Sequence, residues 1–79
     1  MNIKVVGTGC PKCSELYENS CKATDNCKID ANIEKVEALL DIIKLGVRET
    51  PALMINDNIV VSGQVASVSE IEKLLEEYK

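Results

Sequence analysis

Four cysteines carry most of the reactive potential of this sequence, and two of them stand close together in Cys10-Pro11-Lys12-Cys13. Sulfurs at that spacing can close a short disulfide, exchange with another disulfide, or hold a soft metal ion. No histidine occurs anywhere in the chain. Ser-His-Asp and Cys-His nucleophilic catalysis is therefore excluded, as are HExxH metal sites and two-cysteine, two-histidine zinc fingers. The chemistry must run on sulfur, carboxylate, amine or backbone.

The elements around the pair decide what the sulfurs can do. In Asn2 to Val6 the apolar Ile3 and Val5 alternate with Asn2 and Lys4, which predicts a short strand stopped by Gly7-Thr8-Gly9. Pro11 suits the first position of a helix, where its missing N–H would be unpaired anyway, and this makes Cys10 the N-cap. The helix is expected to reach about Asn26, with Cys13, Leu16, Ser20, Ala23 and Cys27 on one small-residue stripe. Ile29, Ala31 and Ile33 alternate with polar residues and predict a second strand reaching Val36. Ala38 to Leu45 is a dense apolar segment read as a short helix packed on a sheet and ended by Gly46. Ala52 to Ile55 and Ile59 to Ser62 flank Asn56-Asp57-Asn58 and predict an antiparallel hairpin. Ser67 and Glu70 form a capping box ahead of Ile71, Leu74, Leu75 and Tyr78. The order is β-α-β-α-β-β-α, an α/β arrangement whose first two strands should be parallel with a right-handed crossover.

A thiol at a helix N-terminus faces unpaired N–H groups and the positive end of the helix dipole, and both favour thiolate. Cys10 is thus the expected attacking nucleophile, with Lys12 adding positive charge and Pro11 stiffening the turn. Cys13, one turn deeper, is the expected resolving thiol, attacking the mixed disulfide that Cys10 forms. Cys21 and Cys27 differ. In a continuous helix they are separated by roughly 9 Å of rise and about 240° of rotation, too far to bridge. Cys27 is expected as a small buried hydrophobe and Cys21 as partly exposed, neither with a catalytic role. Glu70, Glu72, Glu76, Glu77 and Asp41 read as cap and solvated helix faces; Lys4 and Tyr17 are candidates to flank the site.

Composition narrows the partners. The chain has 79 residues, 46% of them hydrophobic, enough for one compact core and too few for two ordinary domains. Thirteen acidic against nine basic residues give a net charge of −4, which argues against nucleic acid or an anionic membrane as partner. No apolar stretch reaches membrane-spanning length, and MNIKVVG does not read as a signal peptide. The expectation is a cytoplasmic protein, where thiols are kept reduced unless they are catalytic or metal-binding.

With Val6-Gly7-Thr8-Gly9-Cys10-Pro11-Lys12-Cys13 and Thr50-Pro51 in place, the whole chain, residues 1–79, resembles the thioredoxin superfamily, most closely its small prokaryotic redox-active disulfide proteins. The resemblance implies a minimal thioredoxin-like domain, a four-stranded mixed sheet with helices on both faces. It implies a thiol-disulfide oxidoreductase whose only redox group is the Cys10-Cys13 disulfide, without a further cofactor or metal. Pro51 would be cis and lie against the disulfide, and Thr50 would pair with an extended substrate. Gly63 matches the glycine that leaves room beside the active site, or else is a plain strand-end turn. Gly9 stands where full-size thioredoxin has tryptophan. Partners would be protein or small-molecule disulfides and an unidentified reductase.

Two metal readings use the same cysteines. A heavy-metal-associated carrier also starts a helix with CxxC and could hold Cu(I) between two thiolates. Its fold, however, needs a hairpin directly after the first strand and helix, and here Ala38 to Leu45 intervenes. A zinc site on all four cysteines would need ligands from opposite sides of one helix.

Overall fold

Alternation in the first strand makes two demands at once: Ile3 and Val5 face one way, Lys4 and Val6 the other. The computed structural model, which describes residues 1–9 and 11–78, meets them with helices on both faces of one sheet. Cys10 and its expected capping role lie outside the described residues. The elements are β1 (Asn2–Val6), α1 (Pro11–Asn26), β2 (Asn32–Val36), α2 (Leu39–Lys44), β3 (Ala52–Ile55), β4 (Asn58–Ser62) and α3 (Val68–Glu77). The strands lie in the order β2-β1-β3-β4, with β1 parallel to β2 and antiparallel to β3. This is the mixed four-stranded α/β arrangement expected from the sequence.

On the first face, Ile3, Val5, Leu53, Ile55 and Val61 pack against Leu16 and Ala23 of α1 and Ile71 and Leu75 of α3. Each fully buried Leu or Ile contributes about 1.5–3 kcal/mol over leaving it in water, so this layer carries most of the stability. The capping box at Ser67 and Glu70 closes in both directions and fixes where α3 begins. On the second face, Val6, Ala52 and Met54 meet Ile42 of α2 and Val47 beyond it. Among the described residues no helix is long and apolar enough to cross a membrane.

Four differences from the sequence reading have local causes. β2 starts at Asn32 rather than Ile29 because the Ile29 amide is taken by the Thr24 carbonyl at the end of α1 (3.0 Å), while Lys28 turns through φ 55°. Strand pairing begins only at Asn32, where its amide reaches the Met1 carbonyl at 2.9 Å. Cys27 lies in the turn after α1 and is half-buried, not a core residue. The helix α2 covers the sheet through Ile42 but leaves Leu39, Leu40 and Ile43 exposed, so it is only partly packed. The hairpin turn is tighter than the three-residue spacing suggested: Asn56 and Asp57, at φ 48° and 70°, make it alone and Asn58 already belongs to β4.

Candidate functional site

Three chain segments meet at one end of the sheet. The pairing of Val6 with Ala52 aligns the end of β1 with the start of β3. Gly7 leaves β1, and Pro51 enters β3, at adjacent points. Gly7 also donates to the Val36 carbonyl at 2.9 Å, which ties the loop to the end of β2.

Cys13 closes this junction from α1. A β-carbon built on Gly7 would overlap Cys13 Sγ, lie 3.2 Å from Cys13 Cβ and come within 3.9 Å of Pro51 Cα. Gly7 does not have a left-handed φ, unlike Gly9, Gly46 and Gly63, so its requirement is for space and not for conformation. The sulfur therefore sits against bare backbone. Cys13 is 6% exposed and disulfide-bonded. Pro11 and Lys12, in the same first turn, are exposed.

The Thr50–Pro51 peptide bond is cis, with Thr50 exposed and Pro51 buried. Gly63 joins the same corner: at φ +73° its amide donates to the Pro51 carbonyl at 2.9 Å. The Glu49 side chain lies so close over Gly63 that a β-carbon there would overlap its carboxylate. Gly63 thus serves both as a left-handed turn and as a close approach. Of the residues singled out from the sequence, Cys13, Pro51 and Gly63 are linked through this corner, with Thr50 beside them. Gly9, at φ +81°, is exposed above them. Cys10 lies outside the described residues.

Behind the sulfur is a cavity of about 10 Å³, room for about one water, whose walls include Val5, Gly7, Gly9, Cys13, Lys35 and Glu37. Lys35 and Glu37 were not anticipated. Lys35 arrives through the parallel register, which sets it beside Val5. Its Nζ lies 4.7 Å from the centre of the Tyr17 ring, a cation–π contact. Glu37 follows β2 and brings Oε2 to 3.4 Å from where a Gly9 β-carbon would stand. The signal in the sequence was the β-α-β unit itself, which sets the end of β2 beside the end of β1, but the register was needed to name the residues. Tyr17 lies under Lys35, a step away from the cavity. Lys4 belongs to the opposite face, where it pairs with Asp57 at 3.6 Å, and does not line the cavity.

Cys21 and Cys27 are free thiols. Cys21 touches Tyr17 and holds its phenol above the usual range, first by charge repulsion between the two ionised forms, then by a shared hydrogen bond, with a smaller effect of burial. Replacing Cys21 with Ala should therefore lower the Tyr17 ionisation midpoint, followed through its ring resonances against pH; an unchanged midpoint would show that the contact does not exist in solution. Among the described residues no group of three or more His, Cys, Asp or Glu side chains is placed to hold a metal ion.

Residues 1–76 match the family model described as a thioredoxin domain. The chain is 43% identical over 76 residues to a thioredoxin of Methanocaldococcus jannaschii, covering 96% of this chain and 87% of that one. It is 36% identical over 75 residues to a thioredoxin of Methanothermobacter thermautotrophicus, covering 95% and 97%.

Proposed function

The chain belongs to the thioredoxin family, and we propose on that footing that it is a thiol-disulfide oxidoreductase running on Cys10 and Cys13. Cys10, as thiolate, attacks one sulfur of a substrate disulfide; the substrate S–S bond breaks and its other sulfur leaves as thiolate and takes a proton. Cys13 then loses its proton and attacks the Cys10 sulfur of the mixed disulfide. The Cys10–Cys13 bond forms, the bond to substrate breaks, and the second substrate thiol is released. Two electrons pass to the substrate, and an external dithiol returns them by the reverse sequence.

The observation that carries this reading is the seat of Cys13. Its sulfur is buried against the backbone of Gly7, in the first turn of α1. A sulfur so enclosed suits resolution of a neighbouring mixed disulfide and not first attack on a bulky substrate. Thr50, exposed beside Pro51, offers backbone groups to an extended segment of substrate. Pro11 and Lys12 shape and charge the approach to Cys10; Gly9 adds no side chain to it, and Gly63 holds the Pro51 carbonyl through its amide. The substrates are protein or small-molecule disulfides, the redox group is the Cys10–Cys13 pair itself, and a separate reductase restores the dithiol. The setting that suits such a pair is the cytoplasm, where disulfides are transient.

Turnover of insulin disulfides with dithiothreitol as electron source tests the proposal. The protein should accelerate reduction well above the rate with dithiothreitol alone, and Cys10→Ser should abolish the acceleration. A wild-type rate equal to the uncatalysed one would overturn it.

A further inference from the structure

Among the described residues the exposed large apolar side chains are Leu39, Leu40, Ile43 and Ile59, and three of these four fall within the six residues of α2. Leu39 is 64% exposed, Leu40 71% and Ile43 62%. At about 100° per residue, these three occupy an arc of about 100° on the helix, and Ile42 lies about 60° beyond one edge of it. Ile42 packs inward with Val6, Val47, Ala52 and Met54. The helix therefore has one broad apolar stripe, and the fold buries only the edge that carries Ile42.

The buried edge fixes where the exposed part lies. Val6 leads directly into Gly7, and Ala52 directly follows Pro51, so Ile42 rests on residues that adjoin the two strand ends of the site. Glu37, two residues before the helix, lines the cavity at Cys13. The exposed stripe is thus a shoulder of the site and not a remote patch.

We propose that this stripe is a docking surface for the protein whose disulfide or dithiol is exchanged at the Cys10-Cys13 pair, a partner that presents apolar side chains next to its reactive sulfur; the proposal rests on the oxidoreductase reading. Size and charge favour this occupant over a second copy of the chain. Three such side chains expose roughly 400 Å², about half of the ~800 Å² per partner found in stable complexes and within the range of small, short-lived redox contacts. Two copies each carrying a net charge of −4 would also repel. A disulfide exchanger must release each partner after every turnover, so a small apolar contact fits the cycle better than a large one.

The test compares a protein disulfide with a small one. Wild type and the Leu40→Lys, Ile43→Lys double variant are assayed with insulin and with dithiobis(nitrobenzoic acid). Both positions are exposed, so the variant should unfold at a temperature close to that of wild type, and a Leu40→Ala, Ile43→Ala pair separates lost contact from added charge. The expected result is a KM for insulin raised about fivefold or more in the Lys pair, with a smaller rise in the Ala pair and unchanged rates on the small disulfide. Equal insulin kinetics in all three proteins would overturn the docking surface while leaving the oxidoreductase reading intact. A wild-type protein that reduces neither substrate would overturn both. A wild-type dimer in sedimentation that the Lys pair dissolves would assign the stripe to a second copy and overturn the proposal.

Discussion

Cys13→Ser is expected to turn a catalyst into a covalent trap. The first step, attack by the Cys10 thiolate, does not use Cys13, so the variant should still open a substrate disulfide. The second step has no thiol to perform it. A serine hydroxyl does not attack a disulfide under these conditions, so the mixed disulfide should persist and turnover should fall by at least about a thousandfold. Intact mass measured without reductant should show the protein carrying one substrate, and dithiothreitol should release it. The buried place of Cys13 bears on the control: a hydroxyl and a sulfur fill that enclosed space differently, so Cys13→Ala should be run beside it to separate chemistry from folding. Retained turnover in either variant would remove Cys13 from the mechanism.

Gly7→Ala is expected to destabilise the fold through one added methyl group. The added carbon would overlap Cys13 Sγ and approach the Pro51 backbone to 3.9 Å. The clash is with the sulfur, which is buried and disulfide-bonded and cannot swing aside, while the Pro51 backbone stays at ordinary contact distance. Overpacking of this kind costs about 1–3 kcal/mol, which in a domain of this size lowers the unfolding temperature by roughly 5–20 °C. A double-mutant cycle identifies the cause. With Cys13→Ala in place the sulfur is gone and the nearest atom is a β-carbon at 3.2 Å, so most of the penalty should be recovered. The same loss in both backgrounds would mean that Gly7 is required for a reason other than room for the sulfur.

The parts of the fold that could be read in the sequence are those in which local chemistry and tertiary packing agree. The capping box at Ser67 and Glu70 precedes an apolar period that α3 does bury, and Asn56-Asp57 tolerates the left-handed conformation that the hairpin requires. Strand β1 alternates because it has a helix layer on each side. Where a hydrogen bond or a register decided the outcome, composition gave no signal. The Ile29 amide could have entered the sheet, but the end of α1 claimed it. Cys27 fell on the stripe of α1 by period, yet the helix stops one residue short of it. In α2 the density of Leu and Ile suggested burial, but a six-residue helix can turn only one face to the sheet, and Ile42 took that place.

The site divides in the same way. Pro51 and Gly63 stood out because each is a residue type that the backbone itself favours at a junction, and Cys13 by its spacing from Cys10; the fold brings the three to one corner. Gly7 was read only as a strand stop, and its contact with the sulfur emerges when α1 is folded back over β1. Nothing in the pattern marked Lys35, near the end of the expected second strand, or Glu37, just past it. They reach the cavity because the parallel pairing sets Val5 beside Lys35 and so brings the end of β2 up to Cys13.

In the proposed mechanism the position at the start of α1 makes Cys10 a reactive thiolate while the fold encloses Cys13. Site-resolved alkylation of the reduced protein near neutral pH, followed by mass spectrometry, measures this directly, with Cys21 as an internal reference on the same helix. Cys10 should react at least about tenfold faster than Cys21, and Cys13 more slowly than either. A Cys10 no faster than Cys21 would contradict the account.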